Sequence, residues 1–290
     1  MLTQQLLNGV LSSGIYALYA VGFTMIFGIM GVLNMAHADF GTVAAFAVIW
    51  TVSAGLAPVE AVLAASVVTL LVALLVERLA MRPGRRFKGD AAIEMPLIGT
   101  IGAGMILQNA AALIFGNKAI VFSFNMRAFV RVGGYLVSKG LIVSLIVSAV
   151  LLALLEFLVN RTGFGRQIRA VAQNRNAAEI MGINSERVIL ITFAITAALA
   201  GIAGCLVGLS YGLVSPYMAV SYAIKGLVAM IVGGVGSLPG AVLGALLIGV
   251  VEAITVSQFG SQMRDVGVFV VLMAVLAVRP SGLLRVAASR

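Results

Sequence analysis

Few side chains in this sequence could do acid–base or ligand chemistry, and those few sit inside or between long apolar runs. His37, the single histidine, stands two residues from an acid in Asn34-Met-Ala-His-Ala-Asp-Phe-Gly41. Ionisable groups at membrane depth are costly and by default mark solute or proton paths, so His37 and Asp39 are candidates for lining a pathway. Glu252 is a third, because it lies within an apolar run rather than at its end. One His and one Asp are too few ligands for a metal. Cys205 stands alone, so neither a disulfide nor a metal cluster is expected within one chain. No Ser/His/Asp arrangement occurs in a sensible context, and no Lys-Ser/Thr pair follows the glycines as a phosphate-binding loop requires. The chain is therefore expected to need no cofactor and to catalyse no reaction itself.

The elements that must hold these residues are membrane helices. Of the 290 residues, 61% are hydrophobic and 10% charged, with a mean hydropathy of +1.12; soluble domains carry roughly 25% charged residues. Crossing about 30 Å of hydrocarbon takes about 20 apolar residues. Candidate runs are 9–31, 40–56, 59–80, 95–116, 139–159, 188–213, an unusually long 223–256, and 266–278. Residues Met1 to Asn8 lack the basic start of a secretory signal, so the first run is expected to stay as a span. The net charge of +9 sits in short loops, which suits orientation in a bilayer and argues against nucleic acid as a partner.

Three basic segments, 82–90, 161–187 and the tail from Arg279, belong on the cytoplasmic side. An even number of crossings must separate each pair. The long run therefore has to break, and Gly233-Gly-Val-Gly-Ser-Leu-Pro-Gly240 is the place to break it. Three spans before Arg82 put the N-terminus outside, unless 34–39 interrupts a helix without a full crossing. The loop at 117–138 then lies outside although it carries Lys118, Arg127 and Arg131 and no acid. The 33 glycines recur at helical spacing (Gly22, Gly28, Gly31; Gly99, Gly102; Gly201, Gly204, Gly208; Gly240, Gly244), as close packing of membrane helices requires. The expected fold is all-α, one transmembrane domain over 1–290, a polytopic bundle of about eight to nine crossings with broken or re-entrant helices.

Three motifs carry the functional signal. Asn34–Asp39 reads either as a helix break lining a pathway or as a polar interfacial turn with Asp39 capping the next helix. Gly233, Gly234, Gly236, Ser237 and Pro239 interrupt a helix, either lining a cavity at membrane depth or making a tight turn between two spans. In the 161–187 island, Arg161, Arg166, Arg169, Arg175 and Arg187 face only Glu179 and Glu186. Ile168, Val171, Ala172 and Arg175 fall at i, i+3, i+4 and i+7, so one amphipathic helix is expected there, with Gly182 ending it. Such a helix is either a surface-lying element or a handle for another protein.

Taken in this order, the three motifs and Arg279-Pro-Ser-Gly-Leu-Leu284 resemble the permease subunits of branched-chain amino acid ABC importers, the LivH type, over nearly the whole chain. The family usually has Gly where Ala38 stands and often Glu where Asp39 stands. The resemblance implies a permease subunit for branched-chain or related hydrophobic amino acids, with urea, short amides and other small solutes as alternatives within the family. It implies two ABC ATPase subunits, a second LivM-like permease, a periplasmic solute-binding protein and a place in the bacterial inner membrane. Gly165, Arg166, Arg169, Arg175, Ala177, Ala178, Glu179 and Gly182 would then form the segment that couples to an ATPase. An ion-coupled secondary transporter using His37, Asp39 and Glu252 is the reading from a different class.

Overall fold

The computed structural model describes residues 2–284 except 88, 123 and 125–127. Lys88, Arg127 and the tail beyond Leu284, all counted among the basic residues above, lie outside the described residues. The helices in chain order are α1 (Leu2–Met30), α2 (Asp39–Ser53), α3 (Pro58–Val76, continued by a π-turn over Glu77–Met81), α4 (Ala91–Phe115) and α5 (Lys139–Arg161). There follow α6 (Gly163–Gln173), α7 (Arg175–Ile180), α8 (Ser185–Tyr211), α9 (Met218–Gly233), α10 (Leu238–Phe259) and α11 (Arg264–Val278). All but α6 and α7 are apolar. Eight are long enough to cross a membrane, α2 and α11 together with the short turns before them (Met35–Ser53 and Ser261–Val278), and α9, with 16 residues, reaches about 24 Å.

Helix α1 is the hub of the bundle. Its apolar window is 83% buried, against 11% for α4 and 6% for α11. Lipid tails are as apolar as leucine, so membrane helices associate by close packing rather than by the hydrophobic effect. Gly9 of α1 lies against Gly249 of α10 so closely that a Cβ on either would collide with the other's backbone. Gly204 of α8 lies as closely on the backbone of Gly41 of α2, where a Cβ on Gly204 would collide. Gly28 and Gly102, by contrast, face open space, so not every glycine at helical spacing marks a crossing point.

The two ends of the bundle are distinct. At one end, Arg82 and Arg85 reach Glu186 at the start of α8, so two of the basic segments share a face. The Leu283 and Leu284 amides donate to the Val232 and Gly233 carbonyls at 2.8 and 2.9 Å, which brings the Arg279–Leu284 motif to this end too. The positive-inside rule makes it cytoplasmic. At the other end, Gln4 exchanges two hydrogen bonds with the Leu136 backbone, at 2.6 and 3.2 Å. The start of α1 is therefore outside, and so is the 117–138 loop, despite Lys118 and Arg131.

The long run divides as the charge parity demands. Helix α9 ends at Gly233, Gly234 turns the chain at φ +110°, and Ser237 Oγ accepts the Gly240 amide at 3.1 Å to open α10. It is a turn between two apolar helices, the shorter α9 and the longer α10. The earlier break is different. After Gly31 the chain doubles back, and His37 lies against Gly22, about 12 Å inside the end of α1. Helix α2 thus begins at membrane depth and still completes its crossing.

One expectation needs correction. The island is not one amphipathic helix: Asn174, at φ −158°, interrupts it, and its Oδ1 accepts the Ala177 amide at 3.0 Å. Asn is among the strongest N-caps, and here capping overrides the 3.6-residue period, so Arg175 does not share a helix with Ile168 and Val171. Short strands were also unforeseen. β1 (Ile120–Val121) pairs with β4 (Leu213–Val214), and β2 (Phe129–Val132) pairs with β3 (Tyr135–Ser138), both antiparallel. Gly133-Gly134, at φ +57° and +86°, makes the two-residue turn that a right-twisted hairpin prefers, and that dipeptide was the available signal.

Candidate functional site

The cytoplasmic island is built on α5. Thr162 Oγ1 accepts the Gly165 amide at 3.1 Å and starts α6. Gly165 is buried on the Leu158 and Val159 carbonyls, where a side chain would collide. The Arg169 guanidinium donates to that same Val159 carbonyl, while Ile168 and Val171 are buried beneath the helix. Helix α6 is thereby clamped to the end of α5. Arg166 points away and is exposed.

Helix α7 is held by charge. Arg175 bonds Glu179 at 3.0 Å and Glu186 at 2.7 Å. The second oxygen of Glu186 takes Arg85 at 3.3 Å and Arg82 at 3.8 Å. Arg85 in turn pairs with Glu77, which is buried in the π-turn at the end of α3. Burial draws the Arg85 pKa below its ordinary value, with Glu186 opposing. Burial acts the same way on Arg175, but its bonds to Glu179 and Glu186 outweigh it and raise the pKa. The Arg175 bond holds the Glu179 carboxyl below its usual range. Ala178 is buried, Ala177 is exposed, and Gly182 ends the segment at φ +83°. The tip carries Ile180 and Met181, 85% and 81% exposed. Glu77 and this apolar tip were given no role from sequence, and Arg82 and Arg85 were read only as part of a basic loop; the adjacent Ile180–Met181 pair just before Gly182 was the signal for the tip.

The glycine-rich turn lies beside the island. Gly236, Ser237 and Pro239 line a cavity of about 290 Å³ together with Thr24 and Gly28 of α1 and Ile168 and Arg169 of α6. Gly233 and Gly234 do not face it: Gly233 packs on Gly240, and Gly234 on Leu284. The Asn34–Asp39 motif does not converge on one point. Asn34 Oδ1 accepts the Ala36 amide at 3.1 Å and shapes the turn. His37 is fully buried among Tyr19, Phe23 and Phe40, with ring centroids at 6.2, 4.8 and 6.4 Å. Asp39 faces α4 instead, accepting from Gln108 at 2.9 Å and lying against Gly104.

Glu252 is not a free carboxylate. Lys225 Nζ and Arg264 Nε both stand 3.0 Å from its Oε1, and Tyr16 donates to Oε2 at 2.7 Å. Lys225 was missed because it sits unobtrusively in the long apolar run, and its partner lies 27 residues further on.

Eight apolar helices long enough to cross a membrane, a ninth, shorter one, a helix begun at membrane depth and a braced basic platform at the cytoplasmic end mark a polytopic membrane protein. The chain belongs to the branched-chain amino acid transport system permease component family, which it matches over residues 5–278. It is 37% identical to the high-affinity branched-chain amino acid transport system permease protein BraD of Pseudomonas aeruginosa, covering 97% of this chain and 95% of that one. It is 33% identical to the corresponding permease protein LivH of Escherichia coli (strain K12), covering 97% and 94%. Among solved structures, PsaBC from Streptococcus pneumoniae in complex with Fab aligns with a TM-score of 0.52 at 13% identity, covering 94% of this chain and 91% of that one. That last likeness is one of fold alone.

Proposed function

We propose that this chain is one permease half of an ABC importer for branched-chain or related hydrophobic amino acids in a bacterial inner membrane. Its family and the substrate named for BraD and LivH support the solute class. The observation that carries the mechanism is the island: two short helices, each braced to the bundle, presenting an exposed Ile180–Met181 tip. An apolar tip on a rigid mount suits insertion into a groove of a separate ATPase subunit, two of which would drive the pair of permeases. ATP-driven closure would push on α6 and α7 together. The push reaches α5 through Gly165 and Arg169, and reaches α3 and α8 through Glu186. The slightly buried spans α4 and α11 suit a second, LivM-like permease facing this one. A periplasmic solute-binding protein would deliver the amino acid.

The test is a mild-detergent pull-down from native membranes, comparing the native chain with Ile180→Asp/Met181→Asp. The ATPase should accompany the native chain and be lost from the variant, while the second permease stays with both. A native chain that emerges intact, folded and alone would overturn the reading.

A further inference from the structure

A polar chamber of about 150 Å³ opens at the outer end of the bundle, between α1, α5, α8, α10 and the first residue of α11. By volume it holds about five waters. Its floor is the Glu252 cluster. Arg264 is 42% exposed and stands with Nε 3.0 Å from Glu252 Oε1, and its two Nη groups make no hydrogen bond among the described residues. Glu252 therefore holds the guanidinium by its Nε side and leaves the Nη fork open. A free, oriented fork is the geometry that takes a carboxylate by two parallel hydrogen bonds. The walls carry the side-chain amides of Gln5 and Asn8 and the Tyr211 hydroxyl, which is 3.2 Å from Ser12. Their oxygens can accept from an ammonium group. Leu141 and Val256 supply an apolar side. Lys225 and Arg264 against Glu252 and the more distant, half-exposed Asp265 leave the chamber near neutral, which favours a zwitterion over an ion of either sign.

We propose that this chamber is a reception site for the amino acid on the outer side of the permease, with the Arg264 fork holding its α-carboxylate and Gln5, Asn8 and Tyr211 holding its α-ammonium. The inference rests on the amino-acid reading above and adds where this chain meets that solute.

The probes are L-leucine, its amide (no carboxylate) and 4-methylpentanoate (no ammonium), bound to the full chain with its partner subunits in nanodiscs lacking any binding protein. The native assembly should bind leucine in preference to both. Arg264→Gln should weaken leucine about tenfold or more, as loss of charged hydrogen bonds does, and leave the amide unchanged. Asn8→Leu, which leaves the ion cluster intact, should weaken leucine and the amide but not 4-methylpentanoate. Equal loss for all three probes in Arg264→Gln would mean a structural role and overturn the proposal. So would unchanged leucine binding combined with lost uptake, since Arg264 would then serve an acidic group of another protein. Uptake separates the two readings: if the native complex carries no leucine, the proposed function fails; if it carries leucine and Arg264→Gln carries it equally well, only the reception site fails.

Discussion

Lys225 is 2% exposed, and its charge is held by one fully engaged partner. Glu252→Leu would leave the ammonium with the Tyr16 hydroxyl at 3.5 Å, Asp265 at 3.9 Å and the Tyr16 and Tyr222 ring faces at 5.1 and 5.9 Å. Breaking a buried pair by removing one partner costs about 3–5 kcal/mol, and cation–π contact with two rings offsets part of that, so about 3 kcal/mol is expected. Lys225→Met is milder. Glu252 keeps Arg264 at 3.0 Å and Tyr16 at 2.7 Å, so the loss should be about 1.5–3 kcal/mol, that of one charged hydrogen bond. The double variant removes the central charges together, and Arg264, 42% exposed, can turn to water. Replacing a buried pair by apolar residues is often neutral, so the double should lie within about 1 kcal/mol of native. Equilibrium unfolding in detergent, followed by circular dichroism, would measure all four proteins. The expected coupling energy is at least about 3 kcal/mol. Additive single effects, or a Glu252→Leu loss below about 1 kcal/mol, would refute the claim that Lys225 and Glu252 form a coupled buried ion pair.

Three further outcomes are expected. Gly204→Ala should lose about 1–3 kcal/mol by overpacking, because its Cβ would meet the Gly41 backbone, whereas Gly102→Ala, facing open space, should change unfolding by less than about 1 kcal/mol. The folded-state pKa of Glu179 is lowered, so its contribution is complete above the unfolded value of about 4.3 and is lost as pH falls through the folded value. Protease nicking at α7 should therefore stay constant from neutral pH to about 5 and rise only below about 4. Glu186→Gln removes the charge that Arg82, Arg85 and Arg175 share; nicking between 174 and 182 should quicken while the helical content is kept.

The crossings were legible because a bilayer demands about 20 apolar residues in a row, and loop charge set their direction, even for a run that had to be cut at Gly233–Gly240. Side-chain partnerships were not. His37 and Asp39 are two apart, and neighbours at that spacing do not face one another on a turn or helix; one meets α1 and the other α4. Lys225 and Glu252 pair across the α9–α10 hairpin, a relation that no local pattern encodes. At Asn174, two local rules competed, and the cap prevailed over the period. The island's bracing by Glu77 and Arg85 depends on where α3 ends against α8, which hydropathy does not report.

The central claim is that this chain moves amino acids by a drive delivered through α6 and α7. It is tested most directly by measuring leucine uptake and ATP hydrolysis together in proteoliposomes holding the complete transporter, native and Ile180→Asp/Met181→Asp. Native uptake should require ATP, and the variant should lose about tenfold or more of it, as removal of an interface anchor does. Uptake that runs on an ion gradient without ATP, or a variant that transports as the native protein does, would contradict the account.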